Sequence, residues 1–143
     1  MIALDTNILV YAHRQDSPFH SAALDVLEQL ANSRQPWAIP WPCLHEFISI
    51  TTHLRIYNPP TPIDTALKFL ENWLQSKSLI LLSEGDSHFA QIAALSRRAK
   101  LAGPKIHDAR IASLCLANAI EILYTADRDF SLFPELKTRN PLV

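Results

Sequence analysis

Ile2-Ala3-Leu4-Asp5-Thr6-Asn7-Ile8-Leu9-Val10 decides the fold. Its first three residues are an apolar β run closed by a carboxylate, and Ile8, Leu9 and Ala12 then take up helical spacing. A strand that passes straight into a helix is the opening of an α/β chain, and the alternation continues to the end. Trp37–Ile39, Leu79–Leu82 and Glu121–Thr125 are the next expected strands, with a short edge strand in residues 130–143. Leu79–Leu82 is wholly aliphatic, as a strand covered on both faces should be. Helices are expected from Ser17-Pro18, from Pro42 through Leu54, from Thr61-Pro62 to Gln75, from Ser87 to Leu101, and over Ile106–Ala119. The expected fold class is α/β with a mainly parallel sheet, residues 1–143 forming a single domain without repeats or linkers.

Four acids stand where an acid is hard to explain by solvation. Asp5 and Asp127 follow apolar strand runs, at the strand ends where open parallel sheets build their ligand sites. Glu46 lies among Leu44, Phe47 and Ile48, with no Lys or Arg four residues to either side. Asp108, Ala112, Cys115 and Ala119 fall within about 40° of one line on a helix, so Asp108 tops the most apolar stripe while Arg110 points away. Simpler roles exist for each acid: a helix cap for Asp5, a turn for Asp127, a dipole contact for Asp108 and an exposed helix face for Glu46. A dipole contact is worth only about 0.3–1 kcal/mol, whereas a carboxylate facing a core costs several unless a cation compensates it. Four such coincidences together point to a bound divalent metal. An all-oxygen, all-acid set selects Mg²⁺, with Mn²⁺ as substitute, over zinc. No HxH, HExxH or CxxC pair competes; Cys43 and Cys115 read as small core residues.

Composition narrows the class. Of 143 residues, 48% are hydrophobic and 19% charged, which excludes a disordered chain. No apolar run approaches the ~20 residues of a membrane span, and the start lacks the basic segment of a signal peptide, so a cytoplasmic location is expected. Thirteen Lys+Arg against fourteen Asp+Glu give a net charge of −1, which does not itself announce a nucleic-acid partner. The cations nevertheless gather around Asp108: Arg97, Arg98, Lys100 and Lys105 before it and Arg110 after it. Arg97 and Arg98 also suit a solvated helix end. Lys105, Arg110, Arg97 and Arg98 are the candidate RNA-binding residues, with His13 and Arg14 behind them.

Leu4-Asp5-Thr6-Asn7 resembles the opening motif of PIN-domain nucleases. His45-Glu46-Phe47, the run His107–Ala112, and Thr125-Ala126-Asp127-Arg128-Asp129-Phe130 are similar to the family's later blocks, in order, over essentially the whole chain. The length resembles that of VapC toxins of toxin–antitoxin pairs, and the segment Thr52–Pro60 is similar to a loop in one branch of that group. The resemblance implies a three-layer α/β/α fold around a short parallel sheet of four or five strands. It implies one or two Mg²⁺ ions held by Asp5, Glu46, Asp108 and Asp127, and hydrolysis of a structured RNA such as tRNA or rRNA. It also implies homodimerisation and blockade by a cognate antitoxin. Thr6 and Thr125 are expected to orient carboxylates, Asn7 to hold the loop or touch substrate, and Asp129 to serve as a fifth acid, an ion-pair partner or a turn residue. Two other readings remain at this point. A metal-dependent phosphatase or phosphotransfer domain would need a second acid two residues after the first, where Asn7 stands. A catalytically inactive PIN scaffold would only bind RNA or protein.

Overall fold

The computed structural model describes residues 1–143. The chain runs β1 (Ile2–Leu4), α1 (Thr6–His13), α2 (His20–Asn32), β2 (Trp37–Pro40), α3 (Trp41–Thr51), α4 (Ile63–Leu74), β3 (Leu79–Leu82), α5 (His88–Arg98), α6 (Lys105–Ala117), β4 (Ile122–Tyr124), a 3₁₀ turn (Arg128–Leu132) and β5 (Thr138–Arg139). The five strands form one parallel sheet in the order β3-β2-β1-β4-β5, with helices packed around it. The expected α/β class and parallel sheet are therefore present.

Sheet order is what positions the site. Ile2 pairs with Trp37 on one side and with Ile122 on the other, so β1 is the central strand from which the chain winds both ways. Its carboxyl end lies beside that of β4, and the Asp5 N–H continues the ladder to the Tyr124 carbonyl at 3.0 Å. Asp5 and the Thr125–Asp127 segment are thereby neighbours at the place where open parallel sheets leave a crevice. The core beneath is dry: Ala3, Leu4, Ile39, Phe47 and Leu123 have no exposed surface.

Several expectations need correction: α2 starts at His20 and not at Ser17-Pro18, and α5 stops at Arg98, short of Leu101, before Lys100 enters the left-handed region at φ 53°. Helix α3 stops at Thr51 and does not reach Leu54, which is 78% exposed. The Thr51 and Thr52 hydroxyls bond back to the Phe47 and Ile48 carbonyls, both at 2.7 Å, and the chain leaves the helix there. Strand β3 is an edge strand, so Ile80 is exposed, and its aliphatic composition overstated its burial. Helix α6 ends at Ala117 because Ala119 lies in the left-handed region, φ 56°, and the Ile120 N–H folds back to the Cys115 carbonyl. Ala119 thus lies off the helical stripe. The buried face of α6 is also broader than expected, since Ala109 and every residue from Ile111 to Cys115 are buried. No helix is long and apolar enough to cross a membrane.

Leu4 is fully buried in the central strand, directly before the first acid. Leu4→Ala should cost about 2–5 kcal/mol of unfolding free energy in urea titrations, the range for a core cavity of this kind. A loss below about 1 kcal/mol would show that the sheet centre is not the packed core.

Candidate active site

Asp5 is 4% exposed, and the surrounding chain supplies its carboxylate with four donors. Oδ1 accepts from the Thr6 N–H at 2.8 Å and, more weakly, from the Cys43 thiol at 3.6 Å. Oδ2 accepts from the Thr125 hydroxyl at 2.7 Å and the Asn7 amide at 3.2 Å. Asp5 is therefore the N-cap of α1, as its simplest reading had it, and a buried charge as well. Burial pushes its pKa up to about 6, against the opposing hydrogen bonds from Thr125 and Thr6. Burial also holds the Cys43 thiol well above its ordinary range, which keeps its proton available to Asp5.

The neighbouring polar residues are committed to holding this arrangement. Thr6 donates from its hydroxyl to Glu46 Oε2 at 2.9 Å, tying the α3 acid to the β1 end. Asn7 bridges the two strand ends, its amide meeting Asp5 and Thr125 while its oxygen accepts from the Ala126 N–H at 3.0 Å. Asn7 thus holds the loop, one of its two expected roles. The Thr125 hydroxyl, besides donating to Asp5, accepts from the Asp127 N–H at 3.0 Å.

Asp5, Glu46, Asp108 and Asp127 all line one cavity of about 260 Å³, with no Lys, Arg or His in its wall. They arrive from β1, α3, the first turn of α6 and the turn after β4. Asp108 is half-buried; burial raises its pKa, and repulsion from Asp127 raises it further. Asp108, Asp127 and Asp129 each present an oxygen within 4.8 Å of the others. Asp129 is exposed at the rim, where it pairs with Lys105 at 2.6 Å and donates its N–H to Asp127. Both the ion-pair and the turn role expected of it are realised. A set made only of oxygen donors, with uncompensated negative charge, fits a hard divalent cation.

The expected cations are distributed differently. Arg110 is paired with Glu84, Arg98 with Glu135 and Lys105 with Asp129, whereas Arg97 has no such partner. Arg14 is paired with Asp16, and His13 meets the Thr61 hydroxyl at 2.8 Å. Sequence reasoning missed the apolar half of the cavity: Val10, Tyr11, Ile50, Tyr57 and Ile111. Tyr11 was within reach of it, since it follows Asn7 by four residues on α1 and so shares its face. Tyr57 lies outside any helix or strand, and no periodic signal places it.

Comparison with known proteins yields a match to the PIN domain family model over residues 2–136. The chain is 34% identical over 142 residues to Ribonuclease VapC43 of Mycobacterium tuberculosis, covering 99% of this chain and 96% of that protein. It is 27% identical to Ribonuclease VapC31 of the same species, covering 99% of each. Among solved structures it resembles VapBC2 from Rickettsia felis bound to a promoter DNA fragment, with a TM-score of 0.70, 22% identity, and 97% and 98% of the chains covered. It also resembles Mycobacterium tuberculosis VapC20, described as a Sarcin-Ricin loop cleaving toxin, with a TM-score of 0.69, 14% identity, and 92% and 93% covered.

The elevated Asp5 pKa has a measurable consequence. The folded protein keeps this proton up to about pH 6, while the unfolded chain releases it near the ordinary 3.8. Between those values the folded state binds more protons, so Asp5 costs stability as pH rises through the window. The cost levels off at roughly 3 kcal/mol once both states are ionised. In chelator-treated protein, the unfolding free energy of wild type relative to Asp5→Asn should fall by about that amount from about pH 3 to about pH 8. A pH-independent difference between the two would contradict the burial of this charge.

Proposed function

This chain belongs to the PIN domain family and is a ribonuclease of the VapC type, and we propose that Asp5, Glu46, Asp108 and Asp127 are the acids that serve its cleavage of RNA. The observation that carries the assignment is the convergence of four acids, from four separate elements, on one cavity whose wall has no basic side chain. Divalent-metal dependence goes with this class of nuclease, and the finer reading is Mg²⁺, with Mn²⁺ as a substitute. When bound, the ion supplies a Lewis acid that offsets charge developing on the scissile phosphate.

The chain's own residues set the geometry around that phosphate. Thr6, Asn7 and Thr125 fix the Asp5 carboxylate before any ligand arrives, and Thr6 fixes Glu46 as well. Four carboxylates facing one cavity repel an incoming phosphodiester, so RNA approaches productively only once their charge is offset. Asp129 and Lys105 close one rim of the site, where the lysine can turn from its acid partner to a phosphate. Arg97, Arg98 and Arg110 remain candidates for more distant backbone contacts.

The wider reading treats residues 1–143 as one cytoplasmic nuclease domain that acts as a homodimer. Its hydrolysis of a structured RNA such as tRNA or rRNA would inhibit translation, and a cognate antitoxin would restrain it. The VapBC complexes among the structural neighbours support such a partner.

Purified Asp5→Asn and Asp108→Asn should each lose RNA cleavage by at least about a hundredfold while remaining folded by circular dichroism. Wild-type rates from either variant would refute the assignment. Separately, added Mg²⁺ or Mn²⁺ should raise the melting temperature of the wild type and do so much less for the variants, because ligand binding to the folded state alone stabilises it. A melting temperature indifferent to both ions counts against the site. Sequencing of RNA ends after induced expression identifies the target.

A further inference from the structure

The cavity that gathers the acids has a second, chemically different wall, and nothing in the metal-site reading explains it. Tyr11 and Tyr57 border it together with Ile50 and Val10. The two tyrosines come from unrelated places, α1 and the irregular segment after α3. Tyr11 packs against Phe19 with ring centroids 5.3 Å apart, which leaves its orientation little freedom. One face of the Tyr57 ring is covered by Arg14, whose guanidinium carbon lies 4.2 Å from the ring centroid.

Arg14 is itself fixed. It reaches Asp16 through Nε and Nη2, at 2.9 and 2.6 Å, and donates through Nη1 to the Pro59 carbonyl at 3.0 Å. The loop that carries Tyr57 is thus strapped to the end of α1, and the ring is held at the cavity. Rigid aromatic groups beside a phosphate-handling centre match one chemistry closely. A nucleobase is flat and apolar on its faces, and it stacks on tyrosine whatever its identity.

We propose that Tyr57 and Tyr11 form a stacking subsite for one unpaired nucleobase of the RNA, next to the phosphate cut at the acids. Arg14 is a positioning residue that acts through Tyr57. A cavity of about 260 Å³ suits one base rather than a base pair, which favours a base presented by a loop, a bulge or an end. Because stacking ignores hydrogen-bonding edges, this wall selects unpaired nucleotides over paired ones and discriminates weakly among the four bases. The subsite rests on the ribonuclease reading of the same cavity, and it can fail separately.

The test compares binding of the four nucleoside 5′-monophosphates and of ribose 5-phosphate, by calorimetry, to the full chain with Mn²⁺ present. The base should improve affinity of the wild type by roughly ten- to a hundredfold, the range that base–aromatic stacking supplies. That advantage should collapse to within a few-fold in Tyr57→Ala and be restored in Tyr57→Phe, which keeps the ring and removes only the hydroxyl. Ribose 5-phosphate should bind Tyr57→Ala as it binds the wild type, a result that loss of folding cannot produce. Equal affinity of the wild type for nucleotides and ribose 5-phosphate overturns the subsite, as does an undiminished base advantage in Tyr57→Ala. RNA cleavage by wild type alongside either result leaves the nuclease reading standing. A Tyr57-dependent base advantage without any RNA cleavage does the opposite, sparing the subsite and removing the nuclease.

Discussion

The structure depends on one buried charge, the Asp5 carboxylate. It sits at the end of the central strand, with almost no exposed surface, and no lysine or arginine has been brought in to compensate. Four donors from four residues stabilise it instead, and each forces a piece of chain into place. Thr6 starts α1, Thr125 and Asn7 bring the β4 end alongside, and Cys43 places the first turn of α3. Hydrogen bonds stabilise the ionised form without supplying a positive charge, which leaves Asp5 oriented but electrostatically unfinished.

What could be read in the chain follows from how local each signal is. An apolar run closed by an acid, as at Leu4-Asp5, announces a strand end and its carboxylate within a few residues. Asp108 on a buried helix is legible for the same reason, although α6 proved buried on more sides than one stripe implies. The contacts that assemble the site are not local: Thr125 and Asp5 are 120 residues apart, Thr6 and Glu46 forty. They exist because β4 lies beside β1, and strand order is written in no window of the sequence. Tyr57 was illegible for a different reason, since an irregular segment has no period from which to infer what its side chains face. Helix ends failed where side chains competed with the backbone, at Thr51 and Thr52, or where Ala119 entered the left-handed region.

The same locality explains the cations. Arg98, Lys105 and Arg110 cluster around Asp108 in the sequence and look like a basic patch. In three dimensions each faces an acid from elsewhere, Glu135, Asp129 and Glu84. These pairs are largely exposed, and such pairs contribute little, of order 0–1 kcal/mol, so they yield readily to a phosphate. With a net charge of −1, the surface offers RNA no strong general attraction. What distinguishes the cavity is local: four acids and an apolar wall meet there.

The buried Asp5 charge weakens the fold, as its raised pKa shows. An amide at position 5 would remove the buried charge, but its NH2 would face the donors of Asn7 and Thr125, so the four surrounding groups fit a carboxylate and not an amide. The chain itself brings no basic side chain to the cavity wall to offset that charge. Arg14 is the cation that touches the cavity's lining, yet Asp16 and the Pro59 carbonyl hold it against Tyr57, and it does not itself line the cavity. The fold uses its nearby arginine for shape and keeps its acids free for a ligand.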